Sequence, residues 1–211
     1  KLYWAGEYAI LEPGQLALIK AIPIYMTAEI KASNNYRLYS DMFSYSVDLR
    51  PDSSYALIQE TVALVEEYLT AQGVELQPFS LDVRGKMERE GKKFGLGSSG
   101  SVVVLVIKAM LAFYERLADR ELLFKLASAV LLKRGDNGSM GDIACIVSED
   151  LVLYQSFDRE KVAQWLEKED LQAVLARDWG FSIRSVEPVL TFDFLVGWTK
   201  EVAVSSHMVK Q

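Results

Sequence analysis

Over the first fifty positions, apolar and polar residues alternate with a short period. Leu2–Leu11, Leu16–Ile22 and Tyr25–Ala32 are rich in aromatic and β-branched residues, a pattern that predicts three strands. Glu12-Pro13-Gly14-Gln15 marks a turn between the first two. Tyr36–Ser40 and Phe43–Leu49 predict a further hairpin. From Ser54 to Gln72 the spacing lengthens: Leu57, Ile58, Val62, Leu64, Val65, Tyr68 and Leu69 fall on one helical face, and Gly73 follows as a stop.

Phe79–Val83 returns to strand, and Arg84–Lys93 reads as a charged loop. Ser98–Leu117 is long enough for a helix although Val102-Val103-Val104 has poor intrinsic propensity, so burial must supply what propensity does not. Asp119–Lys133 predicts another helix with Asp119 as its cap. A loop, Gly135–Asp142, then leads to an expected strand pair, Ile143–Val147 and Leu151–Phe157. Asp158–Glu169 and Leu171–Arg177 predict short helices, Val189–Trp198 a strand, and Ser205 the start of a last helix. Strands and helices in this mixed order predict an α+β fold.

The chain has 211 residues, half of them hydrophobic and a quarter charged, enough for one sizeable core. Its net charge of −6 argues against nucleic acid as a partner; a local basic pocket for a small anion remains compatible with it. One cysteine excludes an internal disulfide, and with one histidine it argues against a zinc site. The apolar setting of Cys145 reads as core. No signal-peptide order opens the sequence and no apolar run is long enough to span a membrane, so the expectation is a soluble, cytoplasmic protein without membrane partners.

Two loops carry candidate chemistry. Gly95-Leu96-Gly97-Ser98-Ser99-Gly100 fits G-x-G-x-x-G, a pattern several unrelated folds share. A dinucleotide fold needs an apolar strand before the glycines, and the stretch here is KMEREGKKF. A P-loop needs a closing G-K-[ST]; a protein-kinase loop needs a following strand. None is present. Glycines at a helix start still let backbone amides approach a phosphate, and Ser98 and Ser99 add hydroxyls for phosphate or Mg²⁺. A serine-capped helix after a flexible turn is the plainer reading of the same residues. In the second loop, KRGDNGSMGD, Asp142 is either a presented carboxylate or a solvated turn former. Ser205 and His207 either hold an anion or cap a helix, and Arg84, Lys86, Arg89, Lys92 and Lys93 form either a solvated face or an anion funnel.

Taken together, the opening KLYWAGEYAILEPG and the glycine loop resemble the first and second motifs of the GHMP small-molecule kinases, a family that includes galactokinase, homoserine kinase, mevalonate kinase and phosphomevalonate kinase. The stretches GKKFGLGSSGSVVVL, LLKRGDNGSMGD and FLVGWTKEVAVSSHMV are most similar to its bacterial, streptococcal-type members acting on phosphomevalonate. The resemblance implies a domain like that of ribosomal protein S5 with a left-handed β-α-β crossover over residues 1–187. Residues 188–211 would begin a ferredoxin-like domain. It implies ATP and Mg²⁺ as cofactors. The implied reaction is ATP-dependent phosphorylation of 5-phosphomevalonate to 5-diphosphomevalonate in isoprenoid biosynthesis. Mevalonate kinase, another small-molecule kinase of the family or a non-catalytic nucleotide binder are the alternatives.

By the same resemblance, Asp142 and Lys1 are the catalytic pair. Lys93, Gly95, Gly97, Ser98, Ser99 and Gly100 bind nucleotide, with Ser99 as the metal-side hydroxyl. Ser139, Ser205 and His207 bind substrate. The chain opens inside the first motif and stops before the third, so about a third of a family member is expected to lie outside it.

Overall fold

The computed structural model describes residues 1–85, 88–89, 92–93, 98–189, 195 and 197. One sheet holds β1 (Leu2–Ala5), β2 (Leu16–Lys20), β9 (Leu151–Gln155) and β10 (Ser182–Ser185), in that order and wholly antiparallel. A second sheet has the order β3 (Thr27–Ala32), β6 (Phe79–Arg84), β4 (Arg37–Ser40), β5 (Ser46–Val47). Here β4 and β6 run parallel, joined by the helix α1 (Ala56–Ala71). A short ladder pairs β7 (Glu88–Arg89) with β8 (Lys92–Lys93), inside the stretch expected to be loop.

Local chemistry sets the helix ends. Asp52 Oδ1 accepts from the amides of Ser54 and Tyr55 just ahead of α1. After the last turn of α1, Gly73 takes a φ of +72°, a conformation glycine adopts without strain. Asp119 Oδ1 accepts from Leu122 N and starts α3 (Arg120–Lys133), as expected. Asp158 and Asp170 cap α5 (Arg159–Lys168) and α6 (Leu171–Ala176) in the same way.

The helix α2 (Ser98–Phe113) lies at the centre, against α1, α3, β3 and α4 (Gly141–Ser148). Val102, Val103, Val104, Val106, Ile107, Met110 and Leu111 are all buried. Burying such a side chain contributes roughly 1.5–3 kcal/mol, whereas valine's helix penalty is about 0.7 kcal/mol at most. Packing therefore decides, and the valine run stays helical. A second cluster, of Phe124, Tyr154, Phe157, Trp179 and Phe181, fills the space between α3 and the first sheet.

Several elements differ from the sequence expectation. The first strand ends at Ala5, and Ala9–Leu11 forms a 3-10 turn. The residues expected as strand Ile143–Val147 belong to α4. Their apolar run is buried on nearly all sides, and a helix buried all round carries no amphipathic signature. The strand β10 is a short edge element that the sequence reading passed over. Expectations for Val189–Trp198 and for a helix from Ser205 fall almost entirely outside the described residues. Among the described residues, no helix is long and apolar enough to cross a membrane.

Candidate active site

The glycine-loop helix and the Asp142 helix meet at their starts. The carboxylate of Asp142, in the first turn of α4, faces Gly100, in the first turn of α2. A Cβ at Gly100 would lie 3.0 Å from Asp142 Oδ2 and 3.0 Å from Ile143 Cδ1. Glycine is therefore what allows the approach. Asp142 is half-buried, and its Oδ1 accepts from the amide of Ile143 at 3.0 Å. Beside it, Ser98 is half-buried and Ser99 is exposed at the mouth of a 16-residue helix. The free amides and dipole of such a helix start favour a phosphate there.

The turn that launches α4 is held from the sheet below. Met140 sits in the left-handed region at φ +61° and starts the helix without a side-chain cap. In its place, Ser139 Oγ accepts from Gly141 N at 3.2 Å. Ser139 is buried and pinned twice: its hydroxyl shares a hydrogen bond with Tyr3 Oη at 2.8 Å, and its carbonyl accepts from Tyr154 Oη at 2.8 Å. Gly141 has no space for a side chain, since a Cβ would run into Tyr3 Oη and lie 2.8 Å from Ile19 Cδ1. Burial pushes the Tyr3 phenol up to about 12, and burial raises Tyr154 well above its ordinary value. Both therefore stay protonated at neutral pH.

Lys1 Nζ lies 5.0 Å over the ring of Tyr3, which brings this lysine to the same corner of the sheet. Cys145 is fully buried on α4, and burial raises its thiol to about 11. A protonated thiol is a poor nucleophile, so Cys145 belongs to the core, as its neighbours suggested.

A cleft of about 390 Å³ adjoins this corner, lined by Lys1, Lys20, Tyr25, Ser101, Lys108 and Cys145 among others. Its lining includes neither Asp142 nor Ser99, so it is not where the two helix starts meet. Lys20 pairs with Asp150 at 3.0 Å and Lys108 with Glu149 at 2.7 Å, which offsets their charge.

The sequence-derived candidates thus separate into groups. Asp142, Gly100, Ser98 and Ser99 gather where α2 and α4 begin, with Ser139 two residues before α4 and Lys1 over Tyr3. Lys93 lies in β8, where its backbone pairs with Glu88. Gly95, Gly97, Ser205 and His207 lie outside the described residues. Of the basic run read as either a solvated face or an anion funnel, Arg84 is occupied, with Asp82 at 3.4 Å and the ring of Tyr39 at 5.9 Å. Tyr3, Met140, Gly141 and Tyr154 were not singled out from the sequence. The one available signal was the third glycine of the KRGDNGSMGD loop, directly before Asp142.

No group of three or more His, Cys, Asp or Glu side chains that would cage a metal occurs among the described residues. The Asp142 carboxylate and a serine hydroxyl beside a helix start that favours phosphate are hard oxygen donors. That set suits Mg²⁺, which is usually held by one or two carboxylates together with phosphate oxygens.

Residues 56–150 match the family profile described as GHMP kinases N terminal domain. That span begins with α1 and contains both α2 and α4. With the fold and the paired helix starts, it defines the class: the chain carries a GHMP kinase N-terminal domain and has the α+β fold of that family. Within the class, it is similar to Streptococcus pneumoniae phosphomevalonate kinase in complex with phosphomevalonate and AMPPNP. The identity is 74% and the TM-score 0.96, covering 99% of this chain and 64% of that one. The Lin0012 protein of Listeria innocua is 30% identical with a TM-score of 0.90, covering 99% of this chain and 61% of that one. The phosphomevalonate kinase of Streptomyces sp. (strain CL190) is 27% identical over 232 residues, covering 99% of this chain and 62% of its own length. The chain therefore spans less than two thirds of each of these relatives.

Proposed function

We propose that the protein transfers the γ-phosphoryl group of ATP to the phosphate of 5-phosphomevalonate, giving 5-diphosphomevalonate and ADP. The observation that carries the reading is the approach of Asp142 to Gly100, which sets a carboxylate at the mouth of a helix suited to phosphate. Its support in kind is the 74% identical S. pneumoniae enzyme, whose structure holds phosphomevalonate and AMPPNP.

In this reading the amides at the start of α2, with Gly95, Gly97 and Gly100, seat the nucleotide phosphates, and Ser98 and Ser99 add hydroxyls. Catalysis of this kind is mostly positioning and charge stabilisation. Lys1 and Lys93 offset negative charge as donor and acceptor phosphates meet. Ser139, Ser205 and His207 contact substrate. Ser99, together with the ATP phosphates, would hold Mg²⁺, which would supply charge neutralisation at the transferring group.

Asp142 has a narrower task than in an alcohol kinase. A phosphate monoester is largely dianionic at pH 7, since its second pKa is about 6, so the acceptor scarcely needs a base. Asp142 instead orients Lys1 and the metal-linked groups. Residues 1–187 form the nucleotide-binding domain in this proposal, residues 188–211 open a second one, and the protein works in the cytoplasm.

The test is ADP release by the full-length protein with 5-phosphomevalonate and with mevalonate, side by side. The proposal expects turnover with 5-phosphomevalonate only. Turnover with mevalonate only overturns the acceptor and makes Asp142 a true base. Silence with both removes the kinase reading.

A further inference from the structure

A half-buried tyrosine and a fully buried one meet one serine in front of Asp142. Tyr3 comes from β1 and Tyr154 from β9, two strands apart in one antiparallel sheet with β2 between them. They bind different atoms of Ser139: Tyr3 Oη its hydroxyl, Tyr154 Oη its carbonyl, each at 2.8 Å. The same serine hydroxyl accepts from Gly141 N. Two residues therefore separate the clamped carbonyl of Ser139 from the helical position of Asp142 with its carboxylate facing Gly100.

We infer that Tyr3 and Tyr154 are positioning residues for phosphoryl transfer, holding the Ser139–Gly141 turn so that the Asp142 carboxylate stays at the mouth of α2. The inference rests on the kinase reading above and deepens it. Its physical basis is the launch of α4. The left-handed Met140 gives the helix no side-chain cap, so the turn depends on bonds made outside the helix. Ser139 makes those bonds, and Ser139 is fixed by the sheet. Tyr154 is fully buried, packed against Phe124 at 5.7 Å between ring centroids, so its hydroxyl has a set direction. Gly141 lies directly on Tyr3 Oη and Ile19, so the turn has no slack toward the sheet. Misplacing a reacting group by about 1 Å costs on the order of 100-fold in rate, and a loosened turn acts on rate through this route.

The experiment is a double-mutant cycle on the full-length protein: Tyr154→Phe and Tyr3→Phe, each alone and each combined with Asp142→Asn. Alone, each lowers kcat by about tenfold with KM for ATP within twofold of wild type. In the Asp142→Asn background each lowers kcat by less than twofold, because the group it positions is gone. An equal fold loss in both backgrounds, or an unchanged kcat for both single variants, overturns the inference; a merely structural role gives the first of these. Thermal melting checks that each variant is folded. Should the wild type turn over no acceptor, the kinase reading fails by itself. Positioning is then read from amide hydrogen exchange at Gly141–Ile143. Faster exchange in Tyr154→Phe supports it, and unchanged exchange overturns it.

Discussion

The Asp142 carboxylate faces Gly100 across two helix starts, and a single methyl group at position 100 would crowd it. A Cβ at position 100 would sit 3.0 Å from Asp142 Oδ2, closer than such contacts normally allow. Alanine is favoured over glycine inside a helix by about 1 kcal/mol, which offsets much of the squeeze. Gly100→Ala is therefore expected to keep its melting temperature close to wild type while kcat falls about tenfold or more. Melting and steady-state kinetics on one preparation check this; a variant with normal kcat would show that the contact is incidental.

Gly141→Ala behaves differently. Its methyl group would meet Tyr3 Oη and Ile19 Cδ1, both anchored in the sheet. Overpacking of this kind costs about 1–3 kcal/mol, so stability and turnover are expected to fall together. Chemical denaturation beside an activity assay checks it.

Tyr3, half-buried, and Tyr154, fully buried, make the fold sensitive to alkali. Tyr3 titrates near 12 and Tyr154 is raised well above its ordinary value, both chiefly through burial. Between the unfolded value, about 10, and these higher ones, the folded chain keeps protons that the unfolded chain has released. The stability so contributed is intact below pH 10 and is lost as pH rises through the folded values. Denaturation midpoints are expected to be insensitive to these groups from pH 7 to 9 and to drop above 10, and Tyr3→Phe is expected to flatten part of that drop.

Lys125 offers a contrast remote from the site. It is buried on α3, and its Nζ donates to the carbonyls of Leu175 at 3.0 Å and Arg177 at 2.8 Å while pairing with Glu121 at 2.8 Å. Lys125→Met leaves two carbonyls at the end of α6 without their donor. The expected loss is about 2 kcal/mol, or roughly 4–8 °C in Tm for a chain of this size, with KM and kcat of the folded fraction unchanged.

The sequence made some of this legible for clear physical reasons. Asp119 and the heptad-like spacing of α1 are local signals, and the structure realises them locally. The start of α2 was readable as a glycine mouth before a buried run. Asp142 was found, but placed in a loop ahead of a strand. Ile143–Val147 is short, apolar and partly β-branched, which a strand and a helix buried all round share. What makes it helical is non-local: Ser139 held by Tyr3 and Tyr154, 136 and 15 residues away in sequence. No window along the chain contains that clamp. The edge strand β10 was missed because Ser182–Ser185 has one apolar residue in four and gains its order from pairing with β9.

The most direct test of the central claim is formation of 5-diphosphomevalonate from ATP and 5-phosphomevalonate by the full-length protein and its Asp142→Asn variant, with AMPPNP affinity measured on both. The account predicts product from the wild type, a loss of more than about 100-fold in kcat in the variant, and nucleotide affinity within a few-fold. A variant that forms product at the wild-type rate, or one that loses nucleotide binding and turnover in equal measure, would contradict it.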